Sequence, residues 1–211
     1  MEKFHQLRID KVLTTFHVKE RFDCEQLNLL ISASGQISTF EDTTLNIALD
    51  RYRRIGRGWN EEELKMLFIS TILNLADPYI QDVCKPFFER PLSGNVNNYE
   101  LNVKTDFMIA SYNEGGEPKK PYFFLQEFKQ KQLWGRTDPQ GQMLAAMLLA
   151  QESNADGGYL YGCFVNERHW FFATLKGLDY CVSPSFDASK KTELLQIVFI
   201  LRKLKELILN R

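Results

Sequence analysis

Asp106, Glu127 and Lys129 are the residues of this chain whose types and placement could do chemistry. Glu127 and Lys129 close the run PYFFLQEFKQK, and Asp106 sits inside LNVKTDFMIASY. Both runs read as strands, joined by a turn at Gly115-Gly116. Side chains alternate faces along a strand. Phe123, Leu125, Glu127 and Lys129 therefore share one face, and Phe124, Gln126 and Phe128 take the other. Both faces are apolar early in the run, as in a strand covered on both sides. Charges at the end of such a strand are costly unless they have partners or a site to serve. If the two strands pair as a hairpin, Asp106 approaches Glu127 at one edge of the sheet. Two carboxylates held together repel unless a cation lies between them. Oxygen ligands of this kind suit Mg2+ or Mn2+. Lys129 reads two ways. It could complete a structural ion triad with Glu127 or Asp106. It could also position or deprotonate an attacking water and offset charge on a phosphate.

Two residues from flanking helices join this group. Asn60 is a good N-cap, and Glu63 stands three residues on to close a capping box. From that first turn Glu63 could also face the site. Gln142 interrupts the apolar helix QMLAAMLLA and needs a hydrogen-bonding partner. Water at the helix start would satisfy it, and so would the site or a substrate backbone. Arg51, Arg53 and Arg54 belong to the most basic stretch. They suit a solvated helix end, through its dipole, or a contact to a phosphate backbone.

The elements that must position these residues follow from periodicity and punctuation. Segments 24–34 and 43–54 read as helices. A buried helix starts at Asn60 and stops at Asp77-Pro78. Residues 91–100 read as turn-rich, with a weak strand near 97–103. A helix opens at Asp138 and Pro139. YLYGCFV and WFFATL read as a hairpin, and a long amphipathic helix spans 187–210. The sum is a mixed sheet with helices against it.

Composition narrows the function classes. Of 211 residues, 26 are basic and 27 acidic, so the net charge is −1 and a polybasic coating protein is excluded. No apolar run reaches the roughly 18–20 residues of a spanning helix. The first residues do not read as a signal peptide. The four cysteines form no CxxC and read as small buried thiols in a reducing cytoplasm. The three scattered histidines make no zinc site.

Helix Glu63, then Asp106, Glu127-x-Lys129 and a helix with Gln142 resemble the PD-(D/E)XK nuclease superfamily over about residues 60–170. The blocks GWNEEELKMLFI, PYFFLQEFKQ, DPQGQMLAAMLLAQ and YGCFVNERHWFF look like an uncharacterised bacterial group within it. The resemblance implies an α/β fold with a restriction-endonuclease-like central sheet and an α-β-β-β-α-β core. That core would occupy 59–211, after an N-terminal helical extension over 1–58. It implies Asp106, Glu127 and the Phe128 carbonyl as ligands of Mg2+ or Mn2+, and Lys129 as the catalytic lysine. Glu63 and Gln142 would match the helix glutamate and glutamine of some members. Thr105 stands where many members have proline. The implied activity is hydrolysis of phosphodiester bonds in nucleic acid, DNA ahead of RNA, with Arg51, Arg53, Arg54, Lys131 and Arg136 along the backbone groove. A cytoplasmic enzyme is implied, with a homodimer left open. A silent nucleic-acid- or protein-binding module on the same fold is the alternative.

Overall fold

The computed structural model describes residues 2–129 and 138–210. Short segments open the chain: β1 (Glu2–Lys3), α1 (Ile9–Thr15), β2 (Lys19–Arg21) and α2 (Glu25–Ile31). Helix α3 (Thr39–Ile55) starts earlier than its apolar stripe suggests, because Ser38 and Glu41 form a capping box. A 3-10 turn at Gly56–Gly58 leads into α4 (Glu61–Leu64), a π-turn (Lys65–Ile69) and α5 (Ser70–Ala76). Three long strands follow, β3 (Lys85–Val96), β4 (Tyr99–Tyr112) and β5 (Pro118–Lys129). Then come α6 (Pro139–Asn154), β6 (Leu160–Asn166), β7 (His169–Lys176), β8 (Asp179–Val182), β9 (Phe186–Asp187) and α7 (Lys191–Leu209).

The nine strands among the described residues form one mixed sheet, in the order β1-β4-β5-β6-β7-β8-β2, with β3 also on β4 and β9 on β7. The pairs β3–β4, β4–β5 and β6–β7 are antiparallel, and β5–β6 is parallel across α6. Helices cover both faces. Leucines of α2 and α3, Phe68 and Ile72, and the stripe of α7 build one core. Val12 and most of α6 build the other. Residues Met143 to Ala150 are all buried, so α6 is apolar all round. It seats on β6 at Gly162, where a Cβ would lie 2.7 Å from the Met147 sulfur. The N-terminal segment holds three helices, and it also adds edge strands β1 and β2 and side chains to both cores.

Two expectations for this region change. The stretch 91–100 is mostly strand, and only Asn97 and Asn98 turn the β3–β4 hairpin. Asn97 takes φ 52, which asparagine tolerates better than most residues. The weak run near 97–103 is the start of the strand that carries Asp106, and β3 precedes it. Pro86, Pro91 and Gly94 hide β3 from a propensity reading, and its membership comes from pairing with β4 at every residue but Glu89. The cysteines also differ. Cys24 and Cys181 form a disulfide, with Cα atoms 6.4 Å apart, while Cys84 and Cys163 are free and buried. No helix among the described residues is long and apolar enough to cross a membrane.

Candidate functional site

Strands β4 and β5 pair with Phe107 opposite Gln126, so one further step of the register sets Asp106 against Glu127. Both carboxyls are buried, Asp106 at 9% and Glu127 at 2% exposure. The Phe128 backbone N–H donates to Asp106 Oδ2 at 2.7 Å, which fixes the orientation of that carboxylate. Glu127 Oε1 is buried and has no hydrogen-bond partner among the described residues. Burial, and then the charge of Asp106, push the Glu127 carboxyl well above the usual carboxylate range, against the pull of Lys129 and Lys65.

Lys129 ends β5 and donates to Glu61 at 3.3 Å. The expected ion triad with Glu127 or Asp106 is therefore not its hydrogen-bonding arrangement. Glu61, on the first turn of α4, is the helix glutamate that reaches the group. Glu63 does not join it: Asn60 N donates to Glu63 Oε2 at 2.7 Å, closing the capping box. Replacing Glu63 by alanine is expected to lower stability by about 1 kcal/mol through the lost cap. Urea denaturation measures this, and the same variant should retain any Asp106-dependent activity.

Lys65 is the member that sequence reasoning missed. Its ammonium donates to Asp106 Oδ1 at 2.8 Å and to Glu89 at 3.1 Å, and lies 3.2 Å from Glu61. Burial disfavours the ammonium, but Asp106, Glu89 and Glu61 outweigh it and hold the group above the ordinary lysine range. Two backbone irregularities bring these groups together. Lys65 opens the π-turn, a feature frequent at functional sites. Glu89 takes φ 52 and drops out of the β3–β4 ladder, between the pairs Phe88–Phe107 and Arg90–Thr105. The register is the same on either side, so Glu89 and Asp106 face each other at one unpaired step of the ladder, where Glu89 holds a left-handed backbone. Thr105 braces this step by donating to the Arg90 carbonyl at 3.2 Å. Lys104 and then Lys65 hold the Glu89 carboxyl below its usual range.

The remaining expected residues that are described make no described hydrogen bond or ion pair with this group. Gln142 is on the first turn of α6, and its Oε1 is buried with no partner among the described residues. No described hydrogen bond joins it to Asp106, Glu127 or Lys129. Arg53 is fastened to the Ser189 carbonyl at 2.6 Å, Arg54 pairs with Asp50 at 2.8 Å, and Arg51 is exposed. All three precede α4 by one short turn. Lys131 and Arg136 lie outside the described residues. Arg168, in the β6–β7 turn, pairs with Asp187 at 3.3 Å. The N–H of its neighbour Glu167 donates to the Lys129 carbonyl at 2.7 Å.

Among the described residues, no three His, Cys, Asp or Glu side chains group as metal ligands. Magnesium needs less than that from a protein, since one or two carboxylates suffice beside water and phosphate oxygens. The unpartnered Glu127 oxygen beside Asp106 supplies that minimal set of hard donors. Four carboxylates (Glu61, Glu62, Glu89, Asp106) pair with three ammonium groups (Lys65, Lys104, Lys129), and the buried Glu127 carboxyl lies beside them. The arrangement can hold a cation, bind a phosphate at Lys129 and exclude bulk water from Glu127. No family model matches the chain, and no curated protein matches it.

Proposed function

We propose that this chain is a divalent-cation-dependent nuclease of the PD-(D/E)XK type, hydrolysing phosphodiester bonds in nucleic acid, DNA by preference. The observation that carries the reading is the buried, unpartnered Glu127 oxygen beside Asp106, with Lys129 next on the same strand. Support also comes from the element order: one helix, three antiparallel strands, a second helix and a parallel strand. That is the order expected of a restriction-endonuclease-like core.

Asp106 and Glu127 would hold Mg2+ or Mn2+, with the Phe128 carbonyl as a third donor. When bound, such a cation polarises a phosphoryl oxygen and acidifies a water. Phe128, through its N–H, keeps Asp106 oriented. Lys129, released from Glu61, would offset the charge of the scissile phosphate and orient the attacking water through its N–H groups. Arg51, and Arg53 on leaving Ser189, meet the backbone on either side. Cutting both strands of a duplex calls for two such sites, which a homodimer would supply. In a cytoplasmic setting Cys24 and Cys181 would be reduced, so thiol state is a variable to control.

The test is cleavage of labelled DNA and RNA with Mg2+ or Mn2+, against an EDTA control. Cleavage is expected to be lost with EDTA and to fall by about 100-fold or more in Asp106→Asn and Lys129→Ala. Activity unchanged in both variants sinks the assignment. A second reading is favoured by a specific observation: both lysines already have carboxylate partners, Lys65 with Asp106 and Lys129 with Glu61. A binding module with a structural ion network fits that pairing. It predicts DNA binding by fluorescence anisotropy without cleavage and without dependence on divalent cations.

A further inference from the structure

We propose that Lys65 is the resident counter-cation of this site, and that a divalent cation loads by displacing its ammonium from Asp106 onto Glu61 and Glu89. The inference rests on the reading of Asp106 and Glu127 as a cation site. Its basis is the division of labour at Asp106. Oδ2 is held by the buried Phe128 N–H, so the carboxylate cannot turn away. Oδ1 is the oxygen left for a cation, and Lys65 holds it at 2.8 Å. An ammonium and a divalent ion cannot both occupy that position. Binding is then an exchange, and the observed affinity is lowered by the work of moving the lysine.

The surroundings are built for such a move. Lys65 has landing places already in reach, Glu89 at 3.1 Å and Glu61 at 3.2 Å. Leaving Asp106 costs it one carboxylate contact and not all of them. Glu89, at φ 52, is the one step of β3 left unpaired with β4, and it accepts from Lys65 there. Lys65 is presented by the π-turn. The ammonium also leaves Glu127 Oε1, in a side chain 2% exposed, without a hydrogen-bond partner among the described residues. The exchange has a consequence at Glu61, which Lys129 also uses at 3.3 Å. Lys65, already 3.2 Å from Glu61, would lean on it more fully and compete with Lys129 for that carboxylate.

The experiment is Mn2+ titration of the full chain by calorimetry, with thermal melts to confirm folding. Lys65→Met is expected to bind Mn2+ about tenfold tighter than wild type or better. Lys65→Arg keeps the blocking charge and should stay within about threefold of wild type. Lys104→Met removes the same charge from the neighbouring pair with Glu89 and should also stay within about threefold. Asp106→Asn should abolish binding in every background. Equal gains in Lys65→Met and Lys104→Met, or no gain in either, overturn the exchange while Asp106-dependent binding still supports the cation site. No Mn2+ binding in any variant overturns both. A second measurement needs no variant: amine labelling of the wild-type protein read by mass spectrometry. Lys65 should label several-fold faster when Mg2+ is added, and a rate unmoved by saturating Mg2+ overturns the exchange.

Discussion

Glu127→Gln is expected to abolish divalent-dependent cleavage, by about 100- to 1,000-fold or more, and to raise the melting temperature of the metal-free protein. The two effects come from one cause. Glu127 sits at 2% exposure beside Asp106, with Oε1 unpartnered among the described residues. A buried carboxylate there is disfavoured by desolvation and by its like-charged neighbour. Glutamine keeps the shape, loses the charge and cannot serve as an anionic ligand. A relief of about 1–2 kcal/mol corresponds to a gain of several degrees for a domain of this size. Stability gained where activity is lost is the usual mark of a functional site. An ion network kept for stability predicts the opposite sign.

The pH dependence of that difference has a fixed direction. The folded-state pKa of Glu127 is raised above its ordinary value, by burial first and Asp106 second. The folded state therefore holds this proton more tightly than the unfolded chain does. The stabilisation is fully present below the unfolded pKa, about 4.3, and is lost as pH rises through the folded value. Glutamine does not titrate, so the melting temperatures of wild type and Glu127→Gln should converge in acid and separate as pH rises. Melts in EDTA across that range measure it, and parallel curves would count against a buried, strained Glu127.

Asp106 and Glu127 were legible because strand alternation and a glycine turn constrain where two acids in apolar runs can meet. Gly116 does take a left-handed φ of 76 in that turn. The capping box at Asn60 was equally readable, and it is the reason Glu63 is not at the site: three consecutive glutamates start α4, and the cap claims the third. Glu61 was eclipsed by that stronger local signal. Lys65 had a signal that went unused, as the lone charged residue between Leu64 and Ala76. A lysine in such a run needs a carboxylate, but which one depends on a π-turn that sequence does not announce. Glu89 was unreadable for the same kind of reason. Its role comes from a left-handed, unpaired step in β3, a strand whose prolines and glycine argue against a strand at all. Local pattern found the two carboxylates, and tertiary pairing supplied the groups that surround them.

Asp106→Ala is expected to lower stability by about 2–4 kcal/mol, a sign opposite to that of Glu127→Gln. Asp106 has what Glu127 lacks, partners for both oxygens: the buried Phe128 N–H on Oδ2 and the Lys65 ammonium on Oδ1. Alanine strands a buried donor and removes the nearest counter-charge of a side chain only 13% exposed. Glu61 and Glu89 remain to Lys65, which limits the loss. Asparagine separates the two contributions. Its side-chain oxygen can still accept from Phe128, so Asp106→Asn should recover about 1 kcal/mol or more of the deficit. Denaturant unfolding of both variants in EDTA measures the difference. If both cost nothing, neither contact carries stability, and the Lys65 pair cannot be the ion that holds this acid in place before a metal arrives. If Asp106→Ala destabilises and Glu127→Gln stabilises, adjacent carboxylates on paired strands have divided the work, one anchored by the fold and one left open for a ligand.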